Sequence, residues 1–267
     1  MTQENTESLA RYSDYVTEHR ASGNSYYLSA RHYPSGDCEI IALKLTSEDQ
    51  LRKGGGSKRK NTQAADMSPE SVRKSISRAR TTVRRKLLSM QADRLLTLTF
   101  RENLTDLDKA WQVFKYFSRL MRDKFENFRY VAVPEFQARG AVHFHLAIDR
   151  YYPVNIVRAL WRRASGEYKG NIDIAKRKNF GGRSATPKRI ASYISKYITK
   201  CKSVEFNRRS YSSGGDIVIP PPIKGWACYG SPIVLLLSNI VHSIAGLLPE
   251  SVFESDDGYF PLVYMST

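Results

Sequence analysis

The run Val142-His143-Phe144-His145-Leu146-Ala147-Ile148 leaves this chain few ways to fold. It is short, branched and aromatic, which reads as a buried strand. Side chains alternate faces along a strand, so His143 and His145 project together while Phe144 goes to the other side. A second strand-like run lies at 131–137, and Arg139-Gly140 supplies a turn between the two. In a hairpin of these runs Glu135, of the same parity as the histidines, lies beside them as a third ligand. Two imidazoles and a carboxylate on a rigid sheet make a platform for a divalent cation, and a zinc site with an open position satisfies the same donors.

A second chemical signal lies in Tyr193-Ile194-Ser195-Lys196-Tyr197-Ile198-Thr199-Lys200. At helical spacing residues four apart stand one above the other, so Tyr193 pairs with Tyr197 and Lys196 with Lys200. A phenol, with an ordinary pKa of about 10, is a poor nucleophile near neutral pH. Nearby lysines and a phosphate polarised by a cation help its phenolate attack phosphorus. The same spacing also suits two tyrosines that merely pack an amphipathic helix on a sheet. The cations flanking this helix favour a phosphodiester.

Together with the upstream run Leu96-Thr97-Leu98-Thr99-Phe100 and the stretch from Glu135 to His145, this ordered set resembles the HUH endonuclease superfamily. Within it, the resemblance is to rolling-circle replication initiators of bacterial plasmids and single-stranded DNA phages. The paired tyrosines are those of the isometric-phage branch, and the resemblance covers about residues 70–215. It implies an α+β fold with a ferredoxin-like, RNA-recognition-type sheet, mainly antiparallel, with helices on one face and extensions at both ends. It also implies a nicking and joining enzyme in which His143, His145 and Glu135 hold Mg²⁺ or Mn²⁺. Tyr193 and Tyr197 are then the nucleophiles, forming a 5′-phosphotyrosine link, and Lys196 assists the phosphate or the phenolate. Two tyrosines let cleavage and rejoining alternate. A transposase or mobilisation relaxase uses the same chemistry, and a non-catalytic single-stranded nucleic-acid binder shares the same sheet.

Charge agrees with a polyanionic partner. The chain of 267 residues has 42 Lys+Arg against 26 Asp+Glu, a formal net charge of +16. Residues 52–90 are net +10 and residues 150–210 net +13, so the remainder is acidic. Segregation of this kind is the footprint of a polyanion-binding face. The candidate DNA contacts are Lys58, Arg59 and Lys60 in a Gly-rich basic linker, Arg139 at the hairpin turn, Lys200, and Arg208 and Arg209 beside Tyr211.

The length suits one nuclease domain with extensions and leaves no room for a helicase domain. Unwinding and synthesis are therefore expected from a host helicase and polymerase acting on single-stranded or supercoiled origin DNA. Three scattered cysteines, Cys38, Cys201 and Cys228, suggest a reducing compartment. No signal peptide is read at the start, so a bacterial cytoplasmic location is expected. No membrane contact and no small-molecule cofactor are expected.

The expected organisation is an N-terminal extension at 1–67, a nuclease domain at 68–215 and a C-terminal extension at 216–267 packed on it. Strands are expected at 26–33 and 38–45, followed after the linker by a helix starting at Ser68-Pro69. Then come a strand at 94–100, a helix at 106–127, the hairpin, a helix near 153–164, a short strand at 171–174 and the tyrosine helix from Pro187. Trp111, Phe114, Phe117, Met121 and Phe125 recur every three or four residues and read as core. The apolar run 233–248 is broken by polar residues and reads as a packed helix, too short to span a membrane.

Overall fold

The computed structural model describes residues 24–44, 69–174, 186–204, 210–229, 242, 251–255 and 262–266. It divides into two compact units, one of residues 60–219 and one combining 1–59 with 220–267.

In the first unit α1 (Pro69–Ser89) leads into β3 (Arg94–Thr99), α2 (Leu107–Lys124) and the hairpin of β4 (Tyr130–Phe136) and β5 (Val142–Ile148). Next come α3 (Val154–Ser165), a 3₁₀ turn at Gly166–Tyr168, β6 (Asn171–Ile174), α4 (Pro187–Val204) and the short strand β7 (Ser212–Gly214). The sheet order is β6-β3-β5-β4-β7, and every pairing is antiparallel. From β3 to β6 the chain runs strand, helix, strand, strand, helix, strand, which is the ferredoxin-like arrangement. α2 carries the chain from β3 past β5 to β4, and α3 carries it from β5 past β3 to β6.

The local signals for these elements are physical ones. Asp106 caps α2, its Oδ1 accepting from the backbone N–H groups of Asp108 and Lys109 at 2.9 and 3.1 Å. The hairpin closes through Gly140, whose φ of +83° is open to glycine and strained for other residues. At the hairpin's other end Arg129 pairs with Asp149 at 2.8 Å, and Tyr152 Oη donates to the same carboxylate.

Alternation along the strands builds two cores. Leu96, Leu98, Tyr130, Ala132, Phe144, Leu146 and Ile148 face α2 and α3, meeting Phe114, Phe117, Met121, Val157 and Trp161. Trp111 and Phe125 pack against the same cluster, so the aromatic stripe read as core is core. Phe144 is wholly buried, so cutting it to Ala should cost about 3–5 kcal/mol. On the opposite face Leu95, Val131, Val133 and Ala147 meet Val83 and Leu87 of α1 and Ile190, Ile194 and Ile198 of α4.

The α+β class and the antiparallel sheet are those expected. The helices, however, cover both faces and not one. The reason is visible in the strands: toward one end of the sheet Leu95, Val131, Val133 and Ala147, which alternate with the α2-facing residues, are themselves apolar and need cover of their own. α1 and α4 supply it.

The second unit is a sheet of order β8-β1-β2-β10-β9, with β1 (Asn24–His32), β2 (Cys38–Lys44), β8 (Ile223–Tyr229), β9 (Ser251–Ser255) and β10 (Leu262–Ser266). β1 pairs with β8 and β2 with β10, so segments read in the sequence as separate N- and C-terminal extensions share one sheet. Of the run 233–248, all but His242 lies outside the described residues. No helix among the described residues is long and apolar enough to cross a membrane.

Candidate active site

The two histidines sit at the N-terminal end of the central strand β5, on the face covered by α4. Glu135 stands directly opposite His143 in the β4–β5 register, and Val133 stands opposite His145. On the other side Thr99 faces His143 and Thr97 faces His145 across β3. Glu135 Oε2 lies 2.8 Å from His145 Nε2. A carboxylate accepts here, so Nε2 carries the proton in this contact. The sequence parity that joined Glu135 to the pair is therefore realised as a direct bond.

α4 buries Ile190, Ile194 and Ile198 in the lower core, which fixes its rotation and turns Tyr193 and Tyr197 toward the histidines. The Tyr197 ring stacks on that of His145, with centroids 4.0 Å apart and planes 15° apart. Tyr193 meets His145 edge-on at 6.1 Å. Tyr197 Oη donates to Tyr193 Oη at 2.6 Å. Of the two, Tyr197 is buried and Tyr193 half-buried. Lys196 lies on the exposed side of α4.

The electrostatics separate the roles. Burial, then the neighbouring His145 and Arg139, push the His143 pKa down to about 4, so its ring is neutral at physiological pH and its lone pair is available. Burial, then the bond to Tyr193, then the Glu135 charge all push the Tyr197 phenol upward. Tyr197 is thus held protonated until something offsets that negative surrounding.

Among the described residues no group of three His, Cys, Asp or Glu already forms a metal-holding cluster. The donor set nonetheless fits a divalent cation: two imidazoles and a carboxylate of one parity on adjacent strands, two of them already in contact through a shared proton. A cation held by His145 and Glu135 would take the place of that proton.

Arg139, exposed at the turn, also makes contacts within the chain. Its guanidinium donates to the carbonyls of Phe100 and Arg101 at 2.7 and 3.1 Å and to Gln137 Oε1 at 3.1 Å. These bonds brace the hairpin turn against the end of β3. Lys58, Arg59, Lys60, Arg208, Arg209 and the Lys200 side chain lie outside the described residues.

The threonines of β3 are part of this face and were not singled out from sequence. Their signal was present in the alternation of Thr97 and Thr99 with Leu96, Leu98 and Phe100. The same alternation in β6 sets Asn171 beside Thr99 and Asp173 beside Thr97, extending the polar row to the sheet edge.

One stretch holds the histidine pair, its carboxylate and both tyrosines, and a family model matches this stretch. Residues 93–202 match the replication-associated protein family named for ORF2. The match runs from the start of β3 into the last turns of α4 and accords with a rolling-circle replication initiator. No curated protein and no solved structure matches the chain.

Proposed function

We propose that this chain nicks and rejoins single-stranded DNA by tyrosine transesterification, and so starts rolling-circle replication of a plasmid or phage in the manner of the HUH enzymes. The observation that carries this is the stack of Tyr197 on His145 while the same imidazole contacts Glu135. The tyrosine of the second transfer and a candidate cation ligand, Glu135, then meet on one imidazole.

In the reaction the phenolic oxygen of a tyrosine bonds to phosphorus and the bond from phosphorus to the 3′ oxygen breaks. The tyrosine proton leaves, the 3′ oxygen gains one, and the products are a 5′-phosphotyrosine and a 3′-OH. A later 3′-OH reverses the step, so the phosphodiester energy is kept. Tyr193 is the first nucleophile: it is the less buried ring, and its oxygen is held by the hydrogen bond it accepts from Tyr197. Tyr197 orients it and serves the second transfer. His143, His145 and Glu135 would hold Mg²⁺ or Mn²⁺, which when bound supplies positive charge against the scissile phosphate and orients it for in-line attack. Lys196 adds a cation on the solvent side.

The test is a gel assay with 5′- and 3′-labelled single-stranded oligonucleotides from a candidate origin, in Mn²⁺ or EDTA. A Mn²⁺-dependent band retaining DNA on denatured protein, absent when both tyrosines are Phe, is the expected result. Tight binding with no adduct on any origin candidate or metal would replace this reading with a non-catalytic single-strand binder.

A further inference from the structure

A cavity of about 680 Å³ opens where β3 finishes and β6 begins, against the C-terminal end of α3. That volume lies in the range of ligand pockets. Its wall carries Arg101, Arg162 and Lys169, all three exposed, together with Gly166 and Gly170. Two carboxylates are neighbours of these cations, Glu102, 3.3 Å from Lys169 Nζ, and Glu167 in the 3₁₀ turn, and neither lines the cavity. The cation excess makes the pocket a site for an anion.

The floor is built rigidly. Trp161, wholly buried, donates its Nε1–H to the Thr99 carbonyl at 3.0 Å. Gly170 lies so close to that indole that a Cβ there would collide with Nε1, and its own N–H donates to Ser165 Oγ at 2.7 Å. At the C-terminal end of α3 the Arg162 carbonyl accepts from both Ser165 Oγ and the Gly166 N–H.

The pocket joins the catalytic face through its polar residues. Thr99 lines it and stands opposite His143, and Asn171 lines it one strand further on. At about 4.8 Å per strand, Asn171 lies roughly 10 Å from His143. A nucleic-acid strand with a rise of about 3.4 Å per stacked nucleotide covers that in about three nucleotides, and in fewer when extended.

We propose that this pocket is a second phosphate subsite, holding a phosphate of the same DNA strand a few nucleotides from the one attacked. The proposal rests on the DNA substrate argued above. Arg101, Arg162 and Lys169 supply the charge, and the subsite fixes which phosphate reaches His143 and the tyrosines.

The test uses the full chain and a fluorescein-labelled single-stranded oligonucleotide from the candidate origin, with one phosphate at a time replaced by neutral methylphosphonate. Wild type should lose about tenfold in affinity at one phosphate, or two adjacent ones, the size of one charge-assisted contact. In R162A, and independently in R101A, that position-specific loss should vanish, and the slope of log affinity against log salt should flatten by about 0.7. At saturating oligonucleotide the adduct in either variant should spread over neighbouring phosphates, because the register is no longer fixed. These side chains are exposed, and unchanged circular dichroism will show that the variants fold. The subsite is overturned if the variant loss and the methylphosphonate loss add at every position. A coupled loss with no adduct in any protein would leave the subsite standing and remove the nicking activity, so the two failures are distinct.

Discussion

The imidazole of His145 is held between two partners of opposite character, the Glu135 carboxylate on one side and the flat face of Tyr197 on the other. Any change at one of the three is felt by the other two, because the ring cannot move without leaving a contact. This places two of the proposed cation ligands and Tyr197 under a single packing constraint, imposed by the isoleucines that hold α4 on the sheet.

The tyrosines should separate. Tyr193→Phe removes the proposed first nucleophile and should reduce the DNA–protein adduct at least a hundredfold. Tyr197→Phe keeps its ring on His145 and loses one neutral hydrogen bond, about 1.4 kcal/mol, so it should slow adduct formation about tenfold. The double variant should form none. Quantifying the labelled adduct in denaturing gels checks all three, and equal losses in the two single variants would remove the distinction.

Glu135→Gln keeps the size of the side chain but loses the charge facing His145. The Mn²⁺ concentration for half-maximal adduct should rise about 10–100-fold, the usual cost of disturbing a ligand or its partner. A metal titration of the cleavage assay decides it. An unchanged midpoint would take Glu135 out of the cation site.

Replacing both His143 and His145 with Ala should abolish cleavage and leave most of the salt-dependent DNA affinity, since that affinity comes from cations elsewhere. His145 is buried and His143 half-buried, so H145A should lower the melting temperature more than H143A. Anisotropy and thermal melts of the same preparations test both statements.

Arg139→Ala should act on the scaffold. Losing its bonds to the Phe100 and Arg101 carbonyls should destabilise the protein by about 1 kcal/mol and impair cleavage. The salt dependence of DNA binding should not change. A flatter salt slope would return Arg139 to the DNA contacts.

In EDTA the fold should weaken in acid. The His143 pKa is about 4 in the folded chain against an ordinary 6.5. Above pH 6.5 neither state binds the proton, and this contribution is fully present. Between pH 6.5 and 4 the unfolded chain takes up a proton that the folded chain refuses, so stability falls through that window. Urea unfolding at pH 7, 6 and 5 should show the midpoint dropping, and His143→Gln should reduce the drop.

The local periods of the sequence determined most of the site. Period two placed His143, His145 and Glu135 on one face, and period four placed Tyr193 above Tyr197, because both are properties of a single strand or helix and need no distant partner. The βαββαβ order followed from the same signals. What the tertiary structure alone decided depends on residues far apart in the chain. α4 lies across the sheet face with α1, and its isoleucines bring the Tyr197 ring onto His145. Terminal strands on either side of the 60–219 unit pair with each other, and neither segment shows its partner in its own pattern. Arg139, which reads as a DNA contact at a turn, also donates to carbonyls 38 and 39 residues away. Side-chain direction is set locally, whereas the partner it meets is set by long-range packing.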